Sequence, residues 1–182
     1  MNSIAVFCGS KKGNNPAYAQ AADEFGELLA KENIALVYGG GKVGLMGVLA
    51  DAVMRNGGSV TGVIPEKLMD LEVGHADITS LRVVKDMHER KAMLNQLSDG
   101  FLCLPGGIGT LEEIFEVYTW SQIGYHSKPC ALLNVSGFYD PLMKMLDFTT
   151  EEGFMSEATK QELLIDSDPE ILLKKMKKAC QL

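Results

Sequence analysis

Cysteine is scarce in this chain, and the little there is does not cluster. Four cysteines stand among 182 residues, Cys8, Cys103, Cys130 and Cys180, and no two form a C-x-x-C pair. That spacing speaks against a zinc site or a disulfide framework, and no metal is expected. Cys8 and Cys103 lie inside apolar runs, where a free thiol behaves as a small hydrophobe. Positive charge is also short: 17 Lys and Arg face 24 Asp and Glu, a net charge of -7. A nonspecific nucleic-acid binder carries a basic footprint, so nucleic acid is not an expected partner, although a local basic pocket for a small anion is compatible with this balance. No stretch reaches the roughly eighteen apolar residues of a membrane span. The opening "MNSIAVFCGS" lacks a basic leader region and reads as a first strand rather than a signal peptide. A Walker A loop, G-x-x-x-x-G-K-S/T, is missing as well, which argues against P-loop ATPase chemistry. The expectation is a soluble, cytoplasmic chain without a membrane partner.

What is present is a regular alternation. The runs "IAVF" (4–7), "IALVY" (34–38), "SVTGVI" (59–64), "LRVV" (81–84), "FLCL" (101–104) and "CALLNV" (130–135) are short and mostly non-alternating, the pattern of strands buried on both faces. Longer amphipathic segments fall between and after them, near 16–31, 45–56, 87–98, 110–123, 139–152 and 169–180. Pro16 stands near the first position of the first helix, "NGG" (56–58) ends the second, and Asp168 precedes Pro169 as a candidate N-cap. β-α alternation of this kind implies an α/β fold, one doubly wound parallel sheet with helices on both faces. Residues 1–182 show no internal repeat, low-complexity tract or linker and are read as a single Rossmann-like domain.

Ligands of such sheets bind at the carboxyl ends of the strands, and three of those ends are loaded with glycine: "CGSKKGNN" (8–15), "GGGKVGLMG" (39–47) and "PGGIGT" (105–110). The second contains Gly39-x-Gly41-x-x-Gly44, with Glu66 after the next strand. That matches a dinucleotide fingerprint, except that the fingerprint normally follows the first strand and here it follows the second. The third loop runs into Thr110-Leu111-Glu112-Glu113, which reads as a capping box: Thr110 caps an early N–H and Glu113 reaches back to the Thr110 N–H. A cap alone does not require Pro105, Gly106, Gly107 and Gly109 in front of it. Those residues clear room for an anion at the positive end of the helix. Glu112 and Glu116 form a like-charge i, i+4 pair costing a few tenths of a kcal/mol. Upstream, "DMHERKAML" (86–94) places Arg90 and Lys91 in the first turns of a helix, against the dipole. A solvated face with Glu89 as local partner accounts for Lys91 better than for Arg90.

These pieces together resemble the Lonely Guy (LOG) family, cytokinin riboside 5′-monophosphate phosphoribohydrolases often labelled "lysine decarboxylase-like". The family motif PGGxGTxxE is matched by Pro105, Gly106, Gly107, Gly109, Thr110 and Glu113, and its M-H-x-R-K companion by Met87, His88, Arg90 and Lys91. "VFCGS", "LVYGGGKVGLMG" and "SQIGYHSKP" are similar to family segments, so the resemblance spans about residues 3 to 155. It implies hydrolysis of the N-glycosidic bond of a nucleoside 5′-monophosphate, a cytokinin riboside monophosphate or AMP, to free base and ribose 5-phosphate without a cofactor. It implies Glu113 and Arg90 as catalytic residues, and the stretch Gly106, Gly107, Ile108, Gly109 and Thr110 as the seat of the substrate phosphate. Glu72, Met87, Lys91 and Thr119 match substrate-contact positions, and a homodimer is implied. A non-catalytic nucleotide-binding module would use the same glycines. A decarboxylase would need a Schiff-base lysine, and no lysine stands in a recognisable context for one.

Overall fold

Seven parallel strands make one sheet, in the order β4-β3-β2-β1-β5-β6-β7. The computed structural model describes residues 1–69 and 73–181. Along the chain run β1 (Ser3–Phe7), α1 (Pro16–Lys31), β2 (Ala35–Tyr38), α2 (Gly44–Arg55), β3 (Val60–Pro65), β4 (Ser80–Val84), α3 (Met87–Gln96), β5 (Phe101–Cys103), α4 (Ile108–Gln122), β6 (Cys130–Leu133), α5 (Asp140–Glu151), α6 (Glu157–Glu162), β7 (Leu163–Asp166) and α7 (Pro169–Ala179). The expected doubly wound sheet is present. It carries one strand more than the apolar runs foretell, because β7 starts on the residue after α6 ends and pairs in register with β6, Cys130 opposite Leu163.

Strand alternation divides the core between two faces. Ile4, Val6, Leu36 and Tyr38 point to the layer that also holds Phe25, Leu29, Leu49, Val53 and Leu172 from α1, α2 and α7. Ala5, Phe7, Val37 and Val63 point the other way, to Leu94, Ile114, Val117 and Leu146 from α3, α4 and α5. Each fully buried Leu, Ile or Phe contributes about 1.5–3 kcal/mol, so neither face is left as free surface. The helix limits follow local chemistry. The Asn15 carboxamide accepts from Ala17 N–H at 3.0 Å ahead of Pro16, Gly57 leaves α2 at φ +75°, and Asp168 accepts from Ile171 N–H at 2.9 Å at the start of α7.

The chain winds outward from β1 through β2, β3 and β4, then returns to place β5 on the other side of β1. The reversal lies between β1 and β5, where Gly9 N–H donates to Pro105 O at 3.1 Å and Leu104 N–H to Phe7 O at 3.0 Å. A switch point of this kind leaves a crevice at the carboxyl ends of the two strands. Among the described residues no helix is long and apolar enough to cross a membrane.

Candidate active site

A cavity of about 510 Å³ occupies that crevice, walled by the loop after β1, the loop after β5 and the starts of α2, α3 and α4. Its floor is the beginning of α4. The helix starts at Ile108, two residues before Thr110, with Gly107 as an N-cap that offers no side chain. The capping box expected at Thr110 and Glu113 is therefore not formed: both lie inside the helix, Thr110 buried against Gly106 and Glu113 a turn further on. Early N–H groups of a helix have no intrahelical partner, and among the described residues no N-cap side chain takes them here. A Cβ added at Gly107 or Gly109 would meet nothing within 4 Å, so these two glycines keep the approach to the helix end open. The exit of β5 is fixed from behind by Tyr139, whose buried hydroxyl donates to Leu104 O at 2.7 Å.

A related, box-like cap, shifted by one residue on the glutamate side, exists at α3, where Asp86 is the N-cap. Asp86 accepts from Glu89 N–H at 3.0 Å, and Glu89 accepts from Lys85 N–H at 2.8 Å. Glu89 is thereby committed to the backbone rather than to Lys91. This cap sets the register that turns Arg90 inward. Arg90 is only 6% exposed, and a buried guanidinium needs partners. Its Nη2 lies 3.7 Å from Glu113 Oε1 and donates to Gly39 O at 3.4 Å, while Nη1 approaches Met87 Sδ at 3.8 Å. Its Nε has no hydrogen-bond partner among the described residues. Glu113 is itself largely shielded, with a side chain 14% exposed.

Lys91 points along the other side of α3, to the outer face of α4. It bonds Glu112 and, at 3.1 Å, Glu116, so the like-charge pair on α4 encloses a cation and the solvated-face reading of Lys91 is corrected. Burial would lower the Lys91 pKa, but bonds and charge from Glu112 and Glu116 outweigh it and hold it above its ordinary value.

Arg90, Glu113, Met87, Gly106, Gly107, Ile108, Gly109 and Thr110 thus meet around one cavity. Lys91 lies beside it and touches it through Glu112, which lines the wall. Thr119 is on the exposed face of α4, its hydroxyl donating to Phe115 O at 2.6 Å. Glu72 falls outside the described residues. The sequence reading missed Lys11, Lys12, Tyr18, Met46 and Phe138, which also line the cavity; the first glycine loop was the signal for the lysines.

The dinucleotide reading of Gly39-x-Gly41-x-x-Gly44 fares differently. A Cβ at Gly39 would lie 2.3 Å from Arg90 Nη2, and one at Gly44 would lie 2.2 Å from the Ser10 carbonyl carbon. These glycines let the chain pack on itself, where a pyrophosphate would have to approach.

Fold and cavity together define a doubly wound α/β protein with an open, uncapped helix start at its switch point and a buried arginine–glutamate pair beside it. The family model described as "Possible lysine decarboxylase" matches residues 46–176. A cytokinin riboside 5′-monophosphate phosphoribohydrolase from Rhodococcoides fascians is 47% identical over 169 residues, covering 92% of this chain and 85% of that one. Its counterpart from Arabidopsis thaliana is 47% identical over 173 residues, 95% of this chain and 81% of its own. The chain belongs to the Lonely Guy (LOG) family. Among solved structures, the molybdenum cofactor carrier protein of Chlamydomonas reinhardtii superposes with a TM-score of 0.74 at 19% identity, covering 99% of this chain and 98% of that one. The molybdenum cofactor binding protein of Rippkaea orientalis gives 0.73 at 24%, over 97% and 95%. Those two likenesses establish a shared fold.

Proposed function

We propose that the protein hydrolyses the N-glycosidic bond of a nucleoside 5′-monophosphate, releasing the free base and ribose 5-phosphate. The observation that carries this reading is the pairing of Glu113 with Arg90 at 3.7 Å on the rim of a cavity floored by the uncapped start of α4. The relatives at 47% identity, phosphoribohydrolases by name, support it. The 5′-phosphate sits over Gly107 and Gly109 and takes the free N–H groups of the helix, so that the unreactive end of the substrate supplies the energy that orients the reactive end. Cleavage of the bond between C1′ and the base builds positive charge on the ribose, which the Glu113 carboxylate stabilises as it accepts a proton from the attacking water. The water oxygen bonds to C1′ as the C1′–N bond breaks. The departing base nitrogen takes a proton from solvent and Glu113 gives its proton back to solvent, so that the net change is the addition of one water. A guanidinium stays charged and is a poor acid; Arg90 orients the carboxylate and the leaving base. Glu72, Lys91 and Thr119 enter the reading by resemblance alone.

Decarboxylation through pyridoxal phosphate needs a buried lysine for the Schiff base. The cavity's own lysines, Lys11 and Lys12, are exposed, and neighbouring Lys91 is held by two carboxylates. The residues do not fit that cofactor.

Substrates in this reading include AMP as well as cytokinin riboside monophosphates, in a cytoplasmic homodimer. Support for the dimer comes from Met87 and Ile108 at the cavity mouth, 39% and 84% exposed, and from exposed Met145 and Phe148 on α5. Glu113→Gln tests the catalytic assignment: the amide preserves size and removes the charge. Base release should fall at least about a hundredfold under conditions where the variant stays folded, with some loss of stability from leaving the buried Arg90 without its counter-charge. Full turnover in this variant would leave Glu113 a structural residue.

A further inference from the structure

The phosphate reading above uses only one wall of the cavity. The opposite wall is the loop 8–13 after β1, and its backbone is held at several points. Gly9 O accepts from Leu45 N–H at 2.9 Å, and Gly9 N–H reaches Pro105 O. Gly44 packs against the Ser10–Lys11 peptide with no room for a Cβ. Gly13 turns at φ +74° beneath the Tyr18 ring. Two cations ride on this fixed loop: Lys11 and Lys12 both line the cavity. Neither forms an ion pair among the described residues; exposed lysines such as Lys31, Lys144 and Lys174 are unpaired as well, but among the described residues Lys11 and Lys12 are the lysines that line the cavity. In a chain with 24 acidic and 17 basic residues, two adjacent unpaired ammonium groups on one cavity wall mark a place where the ligand brings the negative charge. Arg90 agrees from within: over nine-tenths buried, lining the same cavity, it keeps Nε without a hydrogen-bond partner among the described residues. The acid nearest the mouth, Glu112, is already bonded by Lys91.

We infer that Lys11 and Lys12 form the cationic second wall of the phosphate site. The N–H groups of α4 hold the phosphate from the β5 side, and the two ammonium groups hold it from the β1 side. This inference rests on the proposed seating of a phosphate over Gly107 and Gly109. Its consequence is selectivity for the phosphorylated substrate over its nucleoside and a capture step that weakens with salt.

The test is calorimetric titration of the full chain with ribose 5-phosphate at low and physiological salt, for the wild type, Lys11→Gln, Lys12→Gln, the double variant and Lys174→Gln. Lys174 is an exposed lysine on α7 that lies away from the cavity and controls for net charge. A lost charge-assisted contact corresponds to about tenfold weaker binding. The double variant should bind at least about tenfold more weakly, with a shallower salt dependence and an unchanged melting temperature, and Lys174→Gln should bind as wild type. Equal affinities in wild type and double variant, equal weakening by Lys174→Gln, or no binding by the wild type at low salt would each overturn the inference. Failure of the hydrolytic reading is separable: a wild type that binds ribose 5-phosphate through these lysines yet releases no base refutes the reaction and leaves the clamp standing.

Discussion

Gly39→Ala puts the geometry of the arginine–glutamate pair to a direct test, because it adds one methyl group at a position that touches no substrate in the proposed arrangement. The new Cβ would sit 2.3 Å from Arg90 Nη2 and 3.2 Å from Met46 Sδ, where ordinary contact begins at 3.4 Å. The guanidinium must therefore retreat by about 1 Å, and a displacement of that size at a reacting centre costs about a hundredfold in rate, or about 2.7 kcal/mol of activation free energy. Stability should suffer less, by about 1 kcal/mol, at the low end for an overpacked site, since the clash falls on the end of a side chain. The assay is steady-state release of base from a nucleoside monophosphate, run as a double-mutant cycle with Arg90→Ala. Alanine at 90 vacates the space that the methyl group needs, so the double variant should be no slower than Arg90→Ala alone. That non-additivity is the signature of one residue acting through another. Gly39→Ala within threefold of wild type, or a double variant whose losses multiply, would refute the reasoning.

Other outcomes follow from the same geometry. Gly109→Ala adds a methyl group into open space in the first turn of α4; it should raise stability by about 0.5 kcal/mol while raising KM for the nucleotide about tenfold, read by urea unfolding and initial rates. Lys91→Met leaves Glu112 and Glu116 facing each other and should cost about 1 kcal/mol, discounted for the half-exposed Glu112, with part recovered in high salt. His126 is held below its ordinary 6.5, first by burial and then by Lys128. Below about pH 6.5 the unfolded chain binds the proton more readily than the folded one, so stability is retained above that pH and lost as pH falls through it. Urea midpoints between pH 5 and 7.5 should show this slope, and His126→Gln should flatten it.

Most of the sheet was legible because strands buried on both faces write themselves as short apolar runs; β1, β2, β3 and β6 are buried along nearly their whole length. β7 escaped because "LLID" follows α6 without punctuation, its first residue directly after the helix's last; exposure is not the reason, since β4, no less exposed, was legible from "LRVV". The glycine loops placed the cavity correctly, since the sheet topology alone decides which strand ends meet. The start of α4 was misjudged by two residues. Thr110 and Glu113 have the spacing of a box, but the local pattern cannot register that Gly106 and Gly107 let the helix begin earlier. Side-chain partners across long separations were the least legible: Arg90 over Gly39, fifty-one residues apart, and Lys91 between two α4 glutamates are set by how α3 packs. Gly39 illustrates the difficulty, for it reads as a nucleotide-loop glycine and serves to admit an arginine.

The most direct test of the proposed reaction is chromatographic product analysis after incubating the purified protein with AMP and with N6-isopentenyl-AMP, each beside its own nucleoside. The account predicts free base and ribose 5-phosphate from the phosphorylated compounds and none from the nucleosides. Nucleotide bound but no base released from either monophosphate would contradict it and make the protein a binding module.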